Sequence, residues 1–230
     1  MANNEQPLRQ AVQFLKLPCL PHEIVDQEMR RLQKMRIKGE IGDTVLFVTH
    51  PEIVTIGPRA RKEGVEIPSS YASAPVDRGG SITWHGEGQI ICYPIIEWKK
   101  AGEENVAVVI RKLEEWIISA LESLGVNGRR DERMQGVWVG DNKVASIGLS
   151  FLHWTSRHGF TINYDTPLGR VEELSGCGLG QAITTSLSAL GYEIGENDLH
   201  AALFSSISSI DRDASEMEHV ADLASWMNNS

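Results

Sequence analysis

The chain has 230 residues, 41% of them hydrophobic, enough for one large domain or two small ones with a substantial core. A net charge of -9 argues against broad nucleic-acid binding, and three scattered cysteines (Cys19, Cys92 and Cys177) without C-x-x-C spacing indicate neither a disulfide framework nor a zinc knuckle. No apolar run approaches membrane-spanning length, and the N-terminus has neither a secretory signal nor an Arg- and Ser-rich leader, so the expectation is a protein of the bacterial cytoplasm with no membrane partner.

Residues 12 to 17 alternate loosely and read as a first strand. From Pro21 to about Lys38, Ile24, Val25, Met29, Leu32 and Met35 recur at helical intervals, the pattern of an amphipathic helix with Pro21 at its start. Thr44 to Thr49 and Pro51 to Ile56 read as two more strands. Residues 75 to 96 read as strand, glycine turn, strand, glycine turn and buried strand. Glu104 to Leu124 has the clearest helical period, and Gly125 supplies the stop. Gly136 to Ile147 reads as a hairpin turning at Gly140-Asp141-Asn142, with Lys143 where the second strand leaves the turn. A strand from Thr155 to Asn163 pairs with the segment Lys143 to Trp154.

Beyond Cys177, Ile183 to Leu190 reads as a short helix begun by Thr184 or Thr185 and ended by Gly191; a helix start there would favour a thiolate just upstream. From Ser209 onward serine, aspartate and glutamate dominate. The domain is therefore expected to span 1–208, with 209–230 an acidic, weakly docked tail and Trp226 its anchor. Mixed order of helices and strands favours an α/β (α+β) single domain with a mixed sheet flanked by helices over a doubly wound parallel one.

Cys177 stands between Gly176 and Gly178, and Lys143 opens Lys143-Val144-Ala145-Ser146-Ile147-Gly148. Glycines beside a thiol let an acyl group approach the sulfur, and a nearby ammonium would stabilise the thiolate. Each residue alone also reads blandly, as a small buried thiol and a solvated charge. The run Arg78-Gly79-Gly80-Ser81-Ile82-Thr83-Trp84-His85-Gly86-Glu87-Gly88-Gln89 can cradle phosphate, line an acyl tunnel or simply turn twice, and it carries no Walker or dinucleotide pattern. His85 and His158 read as general base, metal ligand or hydrogen-bonded structural residue. No ligand spacing supports a metal, and neither a papain-like nor a G-x-S-x-G hydrolase is well served. The basic clusters Arg59, Arg61, Lys62 and Arg129, Arg130, Arg133 read as solubilising charges or as faces for an acidic partner.

Taken together, Arg78-Gly79-Gly80 with Thr83, His85-Gly86, Gly88-Gln89 and Tyr93-Pro94, then Gly136-Val137-Trp138, Lys143 to Gly148, His158-Gly159-Phe160 with Asn163, and Cys177-Gly178 with Thr185-Ser186-Leu187, resemble the lipoyl(octanoyl) transferase family from about residue 12 to residue 191. The resemblance implies the fold of biotin protein ligase and lipoate-protein ligase catalytic domains. It also implies transfer of an octanoyl group from octanoyl-acyl carrier protein to a lysine of lipoyl domains, those of 2-oxoacid dehydrogenases and the glycine cleavage H protein, through a cysteine thioester and without a cofactor. By the family pattern Cys177 matches the acyl-thioester cysteine and Lys143 its activating lysine. Arg78, Gly79, Gly80, Ser81, Ile82, Thr83, Trp84, His85, Ser146, Ile147, Gly148, Gly159, Phe160 and Thr161 match substrate-lining segments, with Ile82, Trp84, Ile147 and Phe160 as apolar walls. Two departures from the pattern, Glu87 and Gly176 where proline is usual, put a carboxylate near the pocket and loosen the loop of the nucleophile. The alternatives on the same fold are an amidotransferase between lipoyl domains and an ATP-dependent lipoate-protein ligase-like enzyme.

Overall fold

Alternation along the strands assigns the layers. In the computed structural model, which describes residues 11–174, 183–222 and 226, β1 (Ala11–Cys19) sends Val12 and Phe14 to one side and Leu15 and Leu17 to the other. Helix α1 (His22–Lys38) buries Val25, Met29 and Leu32 against the Leu15 side, and Gly39, left-handed at φ 73°, closes it. Strand β2 (Asp43–Thr49) runs parallel to β1 and repeats the division, Val45 and Phe47 on one face, Leu46 and Val48 on the other.

A small sheet comes next, built from β3 (Ile53–Ile56), β4 (Ser73–Pro75) and β5 (Ile82–His85), with α2 (Pro58–Glu63) between β3 and β4. Within it β4 is parallel and β5 antiparallel to β3. Strand β6 (Gln89–Ile95) returns to the large sheet, wholly buried. The helix that follows, α3 (Val106–Ser123), is capped by Asn105, whose side chain accepts from the amides of Ala107 and Val108. Its Val109, Leu113, Trp116, Ile117 and Leu121 cover the Phe14 and Phe47 face. A meander of β7 (Val137–Val139), β8 (Asn142–Leu152) and β9 (Thr155–Asn163) follows, then α4 (Arg170–Glu173), α5 (Glu196–Ser206) and β10 (Asp213–His219).

The large sheet has the order β10-β1-β2-β6-β9-β8-β7; its first three strands are mutually parallel and the others antiparallel. With α3 and α5 packed on one face and α1 on the other, the chain is a mixed α/β domain, as its element order implied. Among the described residues no helix is long and apolar enough to cross a membrane.

Two expectations fail. Residues 183–187 are not the start of a helix; only Ser188–Leu190 makes a 3-10 turn. The Ile183 carbonyl and Thr185 amide bond across to Lys143 and the Leu187 amide to Asn163, which takes these groups out of any helical ladder. Residues 209–222 also depart from the expectation of a weakly docked tail. A 3-10 turn at Ile207–Ile210 buries both isoleucines across the expected boundary at residue 208, and β10 pairs with β1. Arg212 locks this end, fully buried between Asp43 and Glu103 and bonded to the Glu97 carbonyl. Trp226 packs partly buried against the α1 side, under the guanidinium of Arg31.

Candidate active site

The small sheet faces β8 and β9, and a cavity of about 470 Å³ lies between the two sheets. One wall is Arg78, Gly79, Gly80, Ser81, Ile82, Thr83 and Trp84; the other is Gln89, Lys143, Ser146, Ile147, Thr161 and Asn163. A smaller cavity of about 30 Å³ shares Arg78, Thr83, Ser146, Ile147 and Thr161 with the first and adds His85, Gly148, Gly159 and Phe160. The fourteen residues expected to line a substrate are thus divided between two adjoining cavities, ten on the large one and four on the small one alone. Ile82, Trp84 and Ile147 supply apolar wall to the large cavity. Phe160 borders only the small one, its ring edge-on to Trp116 at 5.3 Å.

Lys143 is buried at the start of β8 and lines the large cavity. Its Nζ donates to Met134 Sδ at 3.0 Å. Space for the stem comes from Gly136, φ 125°, where a Cβ would stand 2.5 Å from Lys143 Cε. The backbone of Lys143 forms a parallel bridge with the segment after residue 182: its amide donates to Ile183 O at 2.8 Å, and the Thr185 amide donates to Lys143 O at 3.0 Å. Cys177 and Gly176 lie outside the described residues. Leu174 and Ile183, the described residues on either side of them, both line the large cavity.

The Arg78 loop is held rigidly. Arg78 is buried and donates to Gly79 O, Ser81 O, Thr55 O and Thr55 Oγ1. The Gly79 amide donates to Leu149 O at 2.8 Å, which ties the loop to β8. Gly57 sits where a Cβ would come 2.4 Å from Gly80 O, so the two backbones approach to glycine distance. This guanidinium is spent on shaping the wall, not held out as an anion receptor. The hydroxyl of Ser81, buried on the same wall, has no hydrogen-bond partner among the described residues.

His22, His85 and His158 line the small cavity and, with His50, pack with ring centroids 5.3 to 6.5 Å apart. Burial lowers the pKa of His22 and His50 to about 4 and pushes His85 and His158 down as well, so these rings are neutral near pH 7. Both ring nitrogens of His85 are occupied, by Thr55 Oγ1 at 3.2 Å and Gln89 Oε1 at 2.9 Å. Of the roles open to His85 in the sequence, this arrangement fits the hydrogen-bonded structural one. His158, at φ 59°, breaks the alternation of β9, so that its ring and the preceding Arg157 side chain both reach Asp77. Those hydrogen bonds, His158 first, hold the Asp77 carboxyl well below the usual carboxylate range.

Glu87 is exposed and lines neither cavity, which corrects the expectation of a carboxylate near the pocket. The turn around it is set by Gly88, whose carbonyl accepts the amides of Tyr164 and Asp165 at 2.9 Å. Arg129, Arg130 and Arg133 are engaged with Asp131, Glu114 and Glu115. No cluster of three or more His, Cys, Asp or Glu side chains suited to a metal ion occurs among the described residues. Gln89 and Asn163 belong to the cavity wall but were not expected to; the available signal was a carboxamide at the end of each of two otherwise buried strands, β6 and β9.

Residues 27–208 match the model of the lipoyl protein ligase A/B catalytic domain. An octanoyltransferase of Rubrobacter xylanophilus is 38% identical over 196 residues, covering 81% of this chain and 87% of that protein. In fold, the chain resembles the bi-partite lipoate protein ligase of Thermoplasma acidophilum, with a TM-score of 0.67 at 12% identity over 96% of this chain and 91% of the other. It also resembles the biotin protein ligase of Aquifex aeolicus, with a TM-score of 0.51 at 14% identity over 88% and 69%.

Proposed function

This chain belongs to the lipoyl protein ligase A/B catalytic domain family, and from that premise we propose that it is an octanoyltransferase of protein lipoylation that works through a thioester on Cys177. The donor is octanoyl-acyl carrier protein and the acceptor a lysine of a lipoyl domain, such as those of 2-oxoacid dehydrogenases or the glycine cleavage H protein, met in the cytoplasm. The observation that carries the reading is the placement of Lys143. It lines the cleft between the sheets, and so do Leu174 and Ile183, which bracket the span holding Cys177. Cys177 is three positions beyond Leu174, a length of chain that reaches at most about 11 Å.

The first half-reaction removes the thiol proton of Cys177 to Lys143, and the sulfur attacks the octanoyl carbonyl carbon. The bond from that carbon to the carrier sulfur breaks, the carrier leaves as a thiol with the proton from Lys143, and Cys177 keeps the acyl group as a thioester. In the second half-reaction the acceptor ε-amine attacks the same carbon and loses a proton to Lys143. The bond to Cys177 sulfur breaks, the amide forms, and the thiol recovers its proton. Ile82, Trp84 and Ile147 shield the chain from water, each buried methylene contributing about 0.8 kcal/mol.

The test is transfer from octanoyl-carrier to an apo-lipoyl domain without nucleotide. Product formation in the absence of ATP and magnesium supports the reading. Transfer only with both present would identify a ligase, and preference for an octanoylated protein over the carrier thioester an amidotransferase.

A further inference from the structure

A line of hydrogen bonds crosses the floor of the cleft, from Thr55 through His85, Gln89 and Asn163 to the carbonyl of Thr185. The distances are 3.2 Å from Thr55 Oγ1 to His85 Nε2, 2.9 Å from His85 Nδ1 to Gln89 Oε1, 2.8 Å from Gln89 Nε2 to Asn163 Oδ1 and 3.1 Å from Asn163 Nδ2 to Thr185 O. Its direction is fixed from the Thr185 end. A carbonyl only accepts, so the Asn163 amide nitrogen faces it and the Asn163 oxygen faces Gln89. Gln89 must then present its nitrogen, which also donates to Trp84 O at 3.0 Å, and its oxygen is left for His85. His85 therefore carries its proton on Nδ1, and its bare Nε2 faces the Thr55 hydroxyl at 3.2 Å, whose one proton is shared with Thr83 O at 3.3 Å. Arg78, a donor only, begins the line at Thr55 Oγ1.

The end of this line lies beside Lys143. Thr185, held by Asn163 through its carbonyl, donates its own amide to Lys143 O, while Ile183 accepts from Lys143 N. The Asn163 carbonyl also accepts the Leu187 amide, so one residue holds the segment at two points. Ile183 is six residues beyond Cys177 in sequence. We infer that Asn163 and Gln89 are positioning residues: the directed line through them holds residues 183–187, which follow Cys177 in sequence, against Lys143. The inference rests on the reading of Cys177 as nucleophile and extends it to two side chains with no chemistry of their own.

The test breaks the line at one donor with little change of shape. Asn163→Asp accepts but cannot donate to Thr185 O, and Gln89→Glu accepts from His85 but cannot donate to Asn163. Each variant is read for thermal stability, for kcat and KM with octanoyl-carrier, and for the pH dependence of iodoacetamide labelling at Cys177 by peptide mass spectrometry. The expected result is a folded variant whose kcat falls about tenfold with KM within about twofold, the loss of one hydrogen bond. The labelling midpoint moves to higher pH, because the thiolate has lost part of its cationic neighbour. Because each variant also brings a carboxylate, which by itself would raise a nearby thiol pKa, the uncharged Asn163→Leu and Gln89→Met are read beside them, and the same upward shift is expected in these. Folded variants with a wild-type labelling profile overturn the inference, and so does the failure of all four to fold, which would assign the line to stability alone. Should wild type itself transfer no octanoyl group, the functional reading fails, whereas the labelling profiles still report the spacing.

Discussion

Gly136 and Lys143 occupy one another's space: a Cβ at residue 136 would lie 2.5 Å from Lys143 Cε and 2.2 Å from Ala145 O. Gly136→Ala is therefore expected to push the Lys143 side chain off its path as well as straining a backbone held at φ 125°. Octanoyl transfer should fall at least about tenfold, with a stability loss of about 1–3 kcal/mol. Gly140→Ala is the control, since Gly140 also has positive φ, at 57°, but nothing lies within 4 Å of its Cβ position. If both substitutions reduce transfer equally, displacement of Lys143 is not the cause.

Acid should unfold this protein early. His22, His50 and His200 have folded pKa values near 4, lowered by burial, against about 6.5 in the unfolded chain. Between those values the unfolded state binds protons that the folded state refuses, so stability is full above about pH 6.5 and is lost as pH falls toward 4. The loss is on the order of 3 kcal/mol for a ring whose shift is retained in full. Urea midpoints measured from pH 7 to pH 4 should fall continuously; a constant midpoint down to pH 4.5 would contradict the neutral histidine cluster.

Arg212 ties the last strand to the core through Asp43 and Glu103, with its guanidinium 5.3 Å from the Trp98 ring centroid. Arg212→Met leaves two buried carboxylates short of a partner and should cost about 3–5 kcal/mol in chemical denaturation. Removal of residues 209–230 should destabilise the fold too, as it deletes both Arg212 and β10. Wild-type stability in either protein would return this segment to the status of a tail.

Residues that face a core with regular spacing were legible in the sequence. The strand and helix signals of β1, α1, β2, α3, β8 and β9 were read close to their ends because Leu15, Val25, Phe47, Leu113 and Phe160 recur at periods of two or three to four. β10 was missed for a physical reason: an edge strand with mostly exposed side chains, Asp213-Ala214-Ser215-Glu216, has no apolar alternation to read. Thr184 and Thr185 looked like helix caps because their hydroxyls suit that role, yet long-range bonds to Lys143 decided otherwise. Helix α5 went unread because its buried stripe, Leu199, Ala202 and Leu203, is short and broken by a buried His200. The cleft residues were named from a family pattern, and composition alone did not reveal that Gln89 and Asn163 share the wall with Lys143.

The most direct test of the account is to incubate the protein with octanoyl-carrier alone, quench in acid and map the adduct by peptide mass spectrometry. One octanoyl group, labile to neutral hydroxylamine, is expected on Cys177; Cys177→Ala should carry none and transfer nothing, and Lys143→Met should acylate far more slowly. Full transfer to a lipoyl domain by Cys177→Ala, or by wild type with no acyl-cysteine at any time point, would contradict it.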